Sequence, residues 1–290
     1  MAIAGTALSD FRTEARALIM EKAARMISDA DLNRWCNKGI RNWSSRVFWY
    51  ERHIGLAVTA NYPIIVLPSD FLKPMMIRYL DRGRMRDVDM TTHAEKTFAG
   101  IGRGTPFRFT NTPKQKRLIM SPAPSVGSYT TSVTGESGID AVVTTIPVVS
   151  TSGFQLTGRI LIGSEQIETY DNTSTSFKLC RRGDGDTTAA PHSGGSTVTE
   201  CAIVVYAKCL PPDLSADVDV TLMPEQYTQA IPFYMAAMGE FKRGDVKKAL
   251  ALMETYKEMR LEAENEAMDQ DDMSEGVKDE EFGTGAFGDI

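Results

Sequence analysis

The feature that most constrains this chain is a change of composition partway along it, between two strand-like runs. A hydrophobic run ending at Leu118-Ile119-Met120 is cut off by Ser121-Pro122-Ala123-Pro124-Ser125, and a second run, Ala202-Ile203-Val204-Val205-Tyr206-Ala207, begins about eighty residues later. Between them, residues 126–201 are crowded with Thr, Ser, Gly and Val and lack the Met and Trp of the flanks. Short alternating runs at 146–149, 159–162, 166–170 and 176–179 are separated by Ser152-Gly153, Gly163-Ser164 and Asp171-Asn172-Thr173 turns, the spacing of a small antiparallel β fold. The stretch reads as a β module inserted into a helical host.

The host shows both periods. Ala7, Phe11, Ala15, Leu18, Ile19, Ala23 and Met26 recur at helical spacing, so a helix is expected over about 6–26. Ser28 and Asp31 form a capping-box pair that opens a second helix, with Leu32, Trp35, Cys36, Ile40, Trp43 and Val47 on one side. Trp35, Trp43 and Trp49 supply a large apolar area, for the core or for a subunit interface.

After Tyr50 the pattern alternates, and the runs 53–58 and 64–67 around Asn61-Tyr62-Pro63 predict a hairpin. Pro68-Ser69-Asp70 should turn the chain and deliver Phe71, Leu72, Met75 and Met76 to the core, with further strands at 77–80 and 108–120. Beyond the insertion, Pro224 opens a third helix in which Pro232 causes a kink or occupies the first turn, and Gly244 separates it from a fourth. The expected class is α+β: an α-helical bundle with a β-hairpin or strand appendage and an inserted all-β module. Its parts are a helical core with short strands (1–125 plus 202–265), the module (126–201) and an acidic extended tail (266–290).

Charge is unevenly placed. Residues 261–290 carry eleven acids against Lys278, whereas the rest of the chain is net positive within an overall charge of −6. That density resists packing and suggests an interaction tail or a solubilising end, and Val277, Phe282, Phe287 and Ile290 are its sparse apolar anchors. Residues 78–117 hold ten bases against four acids, which suits a phosphate backbone, another subunit's carboxylates or a solvated loop. Arg82, Arg84, Arg86, Lys114, Lys116 and Arg117 are the candidates there for lining a DNA passage. No RNP, zinc-finger or helix-turn-helix signature accompanies them, so sequence-specific reading is not expected.

Catalytic chemistry has no visible anchor. The three histidines, His53, His93 and His192, stand in no HExxH or Cys-His relation, and there is neither GxSxG nor a P-loop. An enzyme is not expected, and no cofactor or metal is implied. Cys36, Cys180, Cys201 and Cys209 read as buried free thiols. Arg182-Gly183-Asp184 spells an integrin-type tripeptide that recurs by chance, and Asp184 with Asp186 lacks the other ligands of an EF loop, so a polar turn is the reading. No run of 18 apolar residues and no basic n-region occur, so neither a membrane span nor a signal peptide is expected.

The run 27–37 through Trp43, the Tyr62-Pro63-Ile64-Ile65-Val66-Leu67-Pro68-Ser69-Asp70-Phe71-Leu72 segment, and Asp213 to Asp219 through Met223-Pro224-Glu225 together resemble tailed-bacteriophage head-to-tail adaptor proteins, also called head-completion or connector proteins. The resemblance covers roughly 1–125 and 202–265. It implies a ring, commonly of twelve copies, beneath the portal, continuing the DNA channel. The implied partners are the chain itself, the portal, a tail or nozzle protein, and passing genomic double-stranded DNA bound without sequence preference, with no membrane. It places the protein in the virion, assembled in the host cytoplasm, with the C-terminal tail docking on the portal. The alternative is a tail or decoration protein whose β module binds a glycan or receptor. The module itself is similar to a small β repeat of phage structural proteins.

Overall fold

The computed structural model describes residues 6–21, 26–47, 50–81, 84–87, 89–90, 103–104, 106, 108–112, 116–135 and 137–280. It is mixed α+β and separates into two units, 1–50 with 210–290, and 51–209. The sequence reading kept helices and short strands in one host core. The division falls elsewhere because the strand Glu51–Leu56 is laddered to Ile203–Cys209, so backbone hydrogen bonds gather the strands of the flanks into the same unit as the inserted ones.

The helical unit contains α1 (Leu8–Leu18), α2 (Asp29–Val47), α3 (Glu225–Thr228), α4 (Ala230–Arg243) and α5 (Val246–Glu280). The capping box forms as read: the Asp31 N–H donates to Ser28 Oγ at 3.1 Å, and the Ser28 hydroxyl and N–H both reach the Asp31 carboxylate. Lys242 donates to the same carboxylate at 2.6 Å, and with Ser28 it holds the Asp31 pKa down at about 2. Pro232 occupies the first turn of α4, where its missing N–H costs least, and Gly244 ends that helix in the left-handed region at φ 86°. The apolar faces meet in a core that includes Phe11, Ile27, Leu32, Trp35, Trp43, Met235 and Tyr256.

Two further segments come together here. Asn37 Nδ2 donates to Leu214 O at 2.9 Å while the Leu214 N–H donates to Asn37 Oδ1 at 2.9 Å, and Arg41 pairs with Asp213 at 2.6 Å. The turn so fixed then receives the start of α1, whose Leu8 and Ser9 N–H groups donate to Asp219 O and Asp217 O. Orphan donors of the helix N-terminus are thereby satisfied.

Residues 266–280, expected to be extended, continue α5 as helix. Glu, Met, Ala and Gln make up seven of its fifteen residues, Pro is absent, and the costly nucleation step has already been met in the packed half of α5, so propagation continues despite the charge and the four Asp.

In the strand unit, one antiparallel sheet runs Glu51–Leu56, Ile203–Cys209, Phe71–Asp81, Arg84–Asp87, and another runs Ile64–Val66, Arg117–Ser121, Arg108–Thr112, Asp89–Met90 with a parallel last pair. The expected hairpin of 53–58 with 64–67 therefore does not form: its two arms lie in different sheets, paired to 203–209 and to 117–121. Met75 and Met76 are also not core residues. The ladder opposite Tyr206-Ala207 skips from Met76 to Pro74, a bulge that leaves Met75 unpaired in the ladder, and both methionines stay exposed.

The inserted stretch builds a five-stranded sheet (Thr130–Ser132, Thr197–Glu200, Gly158–Ile162, Glu165–Thr169, Arg181–Asp184) and a three-stranded one (Ile146–Pro147, Ser176–Lys178, Asp171–Thr173). Asp171–Thr173, expected as a turn, is a strand paired with Ser176–Lys178, and the turn comes at residues 174–175. Val133, Ile146, Ile160, Ile162, Ile167, Phe177 and Val198 close over one core. At Gly55 this layer approaches Glu51–Leu56 so closely that a Cβ would stand 2.6 Å from Cys201 Sγ, and the Gly55 N–H donates to Gln166 Oε1 at 2.7 Å.

Candidate functional site

The basic candidates divide between two sheets. Arg84 and Arg86 stand on the edge strand Arg84–Asp87, opposite Asp81 and Tyr79 respectively. Lys116 and Arg117 belong to the other sheet, where Arg117 is exposed and opens the strand Arg117–Ser121. Lys116 sits at φ 47° in the turn before it and donates through Nζ to Ser69 O, while its own carbonyl accepts from the Leu67 N–H at 2.8 Å. Arg82 and Lys114 lie outside the described residues.

Trp35 and Trp43 belong to the core. Trp35 is 5% and Trp43 1% exposed, and the Trp43 ring packs against Tyr227 at 5.7 Å and Tyr256 at 5.8 Å. Trp49 lies outside the described residues, as do Phe282, Phe287 and Ile290, whereas Val277 falls within α5. All four cysteines are buried free thiols, with burial pushing Cys36 and Cys201 up to about 12.

The Arg182-Gly183-Asp184 tripeptide is not displayed. Both charged side chains point into the module, 6% and 4% exposed. Arg182 grips Glu165 through Nε at 2.7 Å and Nη2 at 2.8 Å, and the same carboxylate accepts from Gly183 N, Ala190 N and His192 Nε2. Burial opposes ionisation of Glu165, but this set of donors outweighs it and brings the pKa to about 2. Asp184 meanwhile accepts from Arg159 and Arg181. One signal in the sequence pointed this way: Glu165 shares the period-2 register of Ile167 and Thr169, a charge on a buried strand face.

Arg159 continues the network to His53. Its Nη2 lies 3.0 Å from His53 Nδ1, and because a guanidinium only donates, the imidazole must accept there and be neutral. Burial, then the Arg159 charge, push the His53 pKa below its usual value against the pull of Asp184 and Glu168. A depressed histidine pKa means that the unfolded chain binds the proton first. Stability of the 51–209 unit should therefore be level above about pH 6.5 and decline as pH falls below it. Urea midpoints across that range should show the decline, and His53→Gln, which keeps an acceptor but does not titrate, should flatten it. An unchanged slope in the variant would contradict the assignment.

Two clefts open beside this network. One is walled by Glu51, His53, Arg181 and Asp186, the other by Arg78, Tyr206, Glu168 and Tyr170. Among the described residues no group of three or more His, Cys, Asp or Glu is placed to hold a metal ion, and no helix is long and apolar enough to cross a membrane. The chain matches no protein-family model and no curated protein.

Proposed function

We propose that this chain is a head-to-tail adaptor of a tailed-bacteriophage virion, forming a ring that joins portal to tail and continues the DNA channel. On this reading α1, α2, α4 and α5 act as a helical bundle, and the work of the protein is binding and geometry rather than catalysis. The observation that carries the proposal is the clamp between α2 and the turn at 213–219. Two of the three segments on which the family resemblance rests, distant in sequence, meet through the reciprocal Asn37–Leu214 hydrogen bonds and the Arg41–Asp213 pair. These two segments share the helical unit, as a resemblance of fold requires of neighbouring parts, and the third, 62–72, belongs to the 51–209 unit.

The length of α5 fits the same role. Thirty-five helical residues span about 52 Å at the rise of an α-helix, enough to reach from one ring layer toward the next. Its acidic end, with Val277 on the helix and Phe282, Phe287 and Ile290 beyond it, supplies the portal contact in this proposal. Imaging of tail-less, portal-bearing heads incubated with the purified chain tests the function. An axial ring under the portal is expected, and attachment at the periphery of the head or tail would overturn it in favour of a decoration protein.

The basic residues make a separate prediction. If Arg82, Arg84, Arg86, Lys114, Lys116 and Arg117 face the channel, DNA should bind weakly and without sequence preference. Its affinity should fall steeply with salt, and each neutralised phosphate contact should flatten the log–log slope by about 0.9. Glutamine at all six positions should leave the ring intact. Loss of the ring with an unchanged salt slope would instead assign these residues to subunit contacts.

A further inference from the structure

We infer that the cleft between the inserted module and the open face of the Glu51–Leu56, Ile203–Cys209, Phe71–Asp81 sheet is a binding site for a neutral saccharide ring. It lies within the 51–209 unit, and the inference does not depend on the ring proposal.

The cleft holds about 210 Å³. That is room for about seven waters at their liquid volume, or for one pyranose unit. Tyr170, 48% exposed, stands on the module side, and Tyr206 lines the sheet side with the Arg78 guanidinium 5.9 Å from the centre of its ring. Two rings with polar tips flanking a small cleft suit a ligand that has both C–H faces and hydroxyl edges.

The charges define the class further. Glu168 accepts from Tyr170 OH at 2.5 Å and from Arg181 at 2.8 Å, and lies 3.7 Å from Arg159. Arg159 in turn is paired with Asp184. With Glu168, Arg159 and Arg181 matched to one another, the floor and module wall have little net charge with which to draw in an ion. What they offer is a set of planar hydrogen-bonding groups held in place by their partners, which spares a hydroxylated ligand the cost of ordering them. A phosphate or a free carboxylate would have to break an existing pair to gain Arg159 or Arg181, and Arg78, the remaining cation of the lining, already lies over the Tyr206 ring.

The test uses the full chain and saturation-transfer NMR with methyl glucoside, methyl galactoside, methyl mannoside and N-acetylglucosamine, alongside glucuronate as an anionic probe. At least one neutral probe should show saturable transfer to its ring C–H protons. Tyr170→Ala should weaken that binding at least about tenfold, the loss of roughly one stacking contact. Tyr170→Phe, which keeps the ring and removes the hydroxyl on Glu168, should retain most of it. The inference is overturned if no neutral probe shows saturable transfer, if glucuronate binds in preference to all of them, or if Tyr170→Ala binds as the parent does. Tyr170 is exposed, so its replacement should leave the fold intact, and an unchanged urea midpoint would confirm that the variant reports on binding.

Discussion

Replacing Glu165 with alanine should destabilise the 51–209 unit by about 3–5 kcal/mol, the usual consequence of stranding one member of a buried ion pair. The carboxylate is 1% exposed and accepts five hydrogen bonds, so its removal leaves the Arg182 guanidinium, 6% exposed, without its counter-charge and frees the Gly183 and Ala190 N–H groups together with His192. Glu165→Gln keeps the shape and part of the hydrogen bonding, and should cost about 1.5–3 kcal/mol, the value of a hydrogen bond to a charged group.

Acid should mimic the loss. With its folded pKa at about 2 against an ordinary 4.5, Glu165 contributes stability that is complete above about pH 4.5 and disappears as pH falls toward 2. Hydrogen exchange of the Ile160, Ile162 and Ile167 amides follows both effects. Protection that is equal in parent and Glu165→Ala would show that the carboxylate does not secure the module.

Trp43→Ala should cost a similar amount, about 3–5 kcal/mol, but in the helical unit. The side chain is 1% exposed and wedged between Tyr227 and Tyr256, so deletion opens a cavity in the middle of the core rather than thinning a surface. The measurement also separates the two roles that a tryptophan cluster can take. A core residue lowers the unfolding midpoint of the chain at any concentration, whereas an interface residue would leave the protomer's midpoint alone and weaken only assembly.

The helical part of this fold was legible because its signals are local. Ser28 with Asp31, Pro232 at a tolerated position and Gly244 at a left-handed end each act within a few residues of themselves, and each does in the structure what its chemistry dictates. The strand pairings were not legible in the same way. Strand runs at 53–58 and 64–67 look like a hairpin from their spacing, but the partner of the first is some 150 residues along the chain, and no local pattern carries that register. Met75 and Met76 were assigned to the core by hydrophobicity alone, and a bulge turned them out.

Charge misled where it was counted without its setting. The acids after 265 argued for an extended tail, yet through Glu280 they continue an established helix made of strong helix formers. In the sequence, Arg182, Asp184 and His192 stand apart as a recognition-like tripeptide, a partial cation loop and an isolated imidazole. Together with Glu165 and Arg159 they form a buried network, which becomes visible only when the strands Glu165–Thr169 and Arg181–Asp184 pair. The two tyrosines of the proposed saccharide cleft come from the module and the host sheet, so nothing in the sequence placed them side by side.

The measurement that bears most directly on the central claim is the mass of the assembly formed on a portal. Mass photometry of the purified chain with and without the portal of the same phage should show one discrete added species, at about twelve times the 32.0 kDa of a protomer if the ring matches the commonest copy number. A chain that stays monomeric with portal present, or that adds in a graded series without closing at one stoichiometry, would contradict the adaptor account.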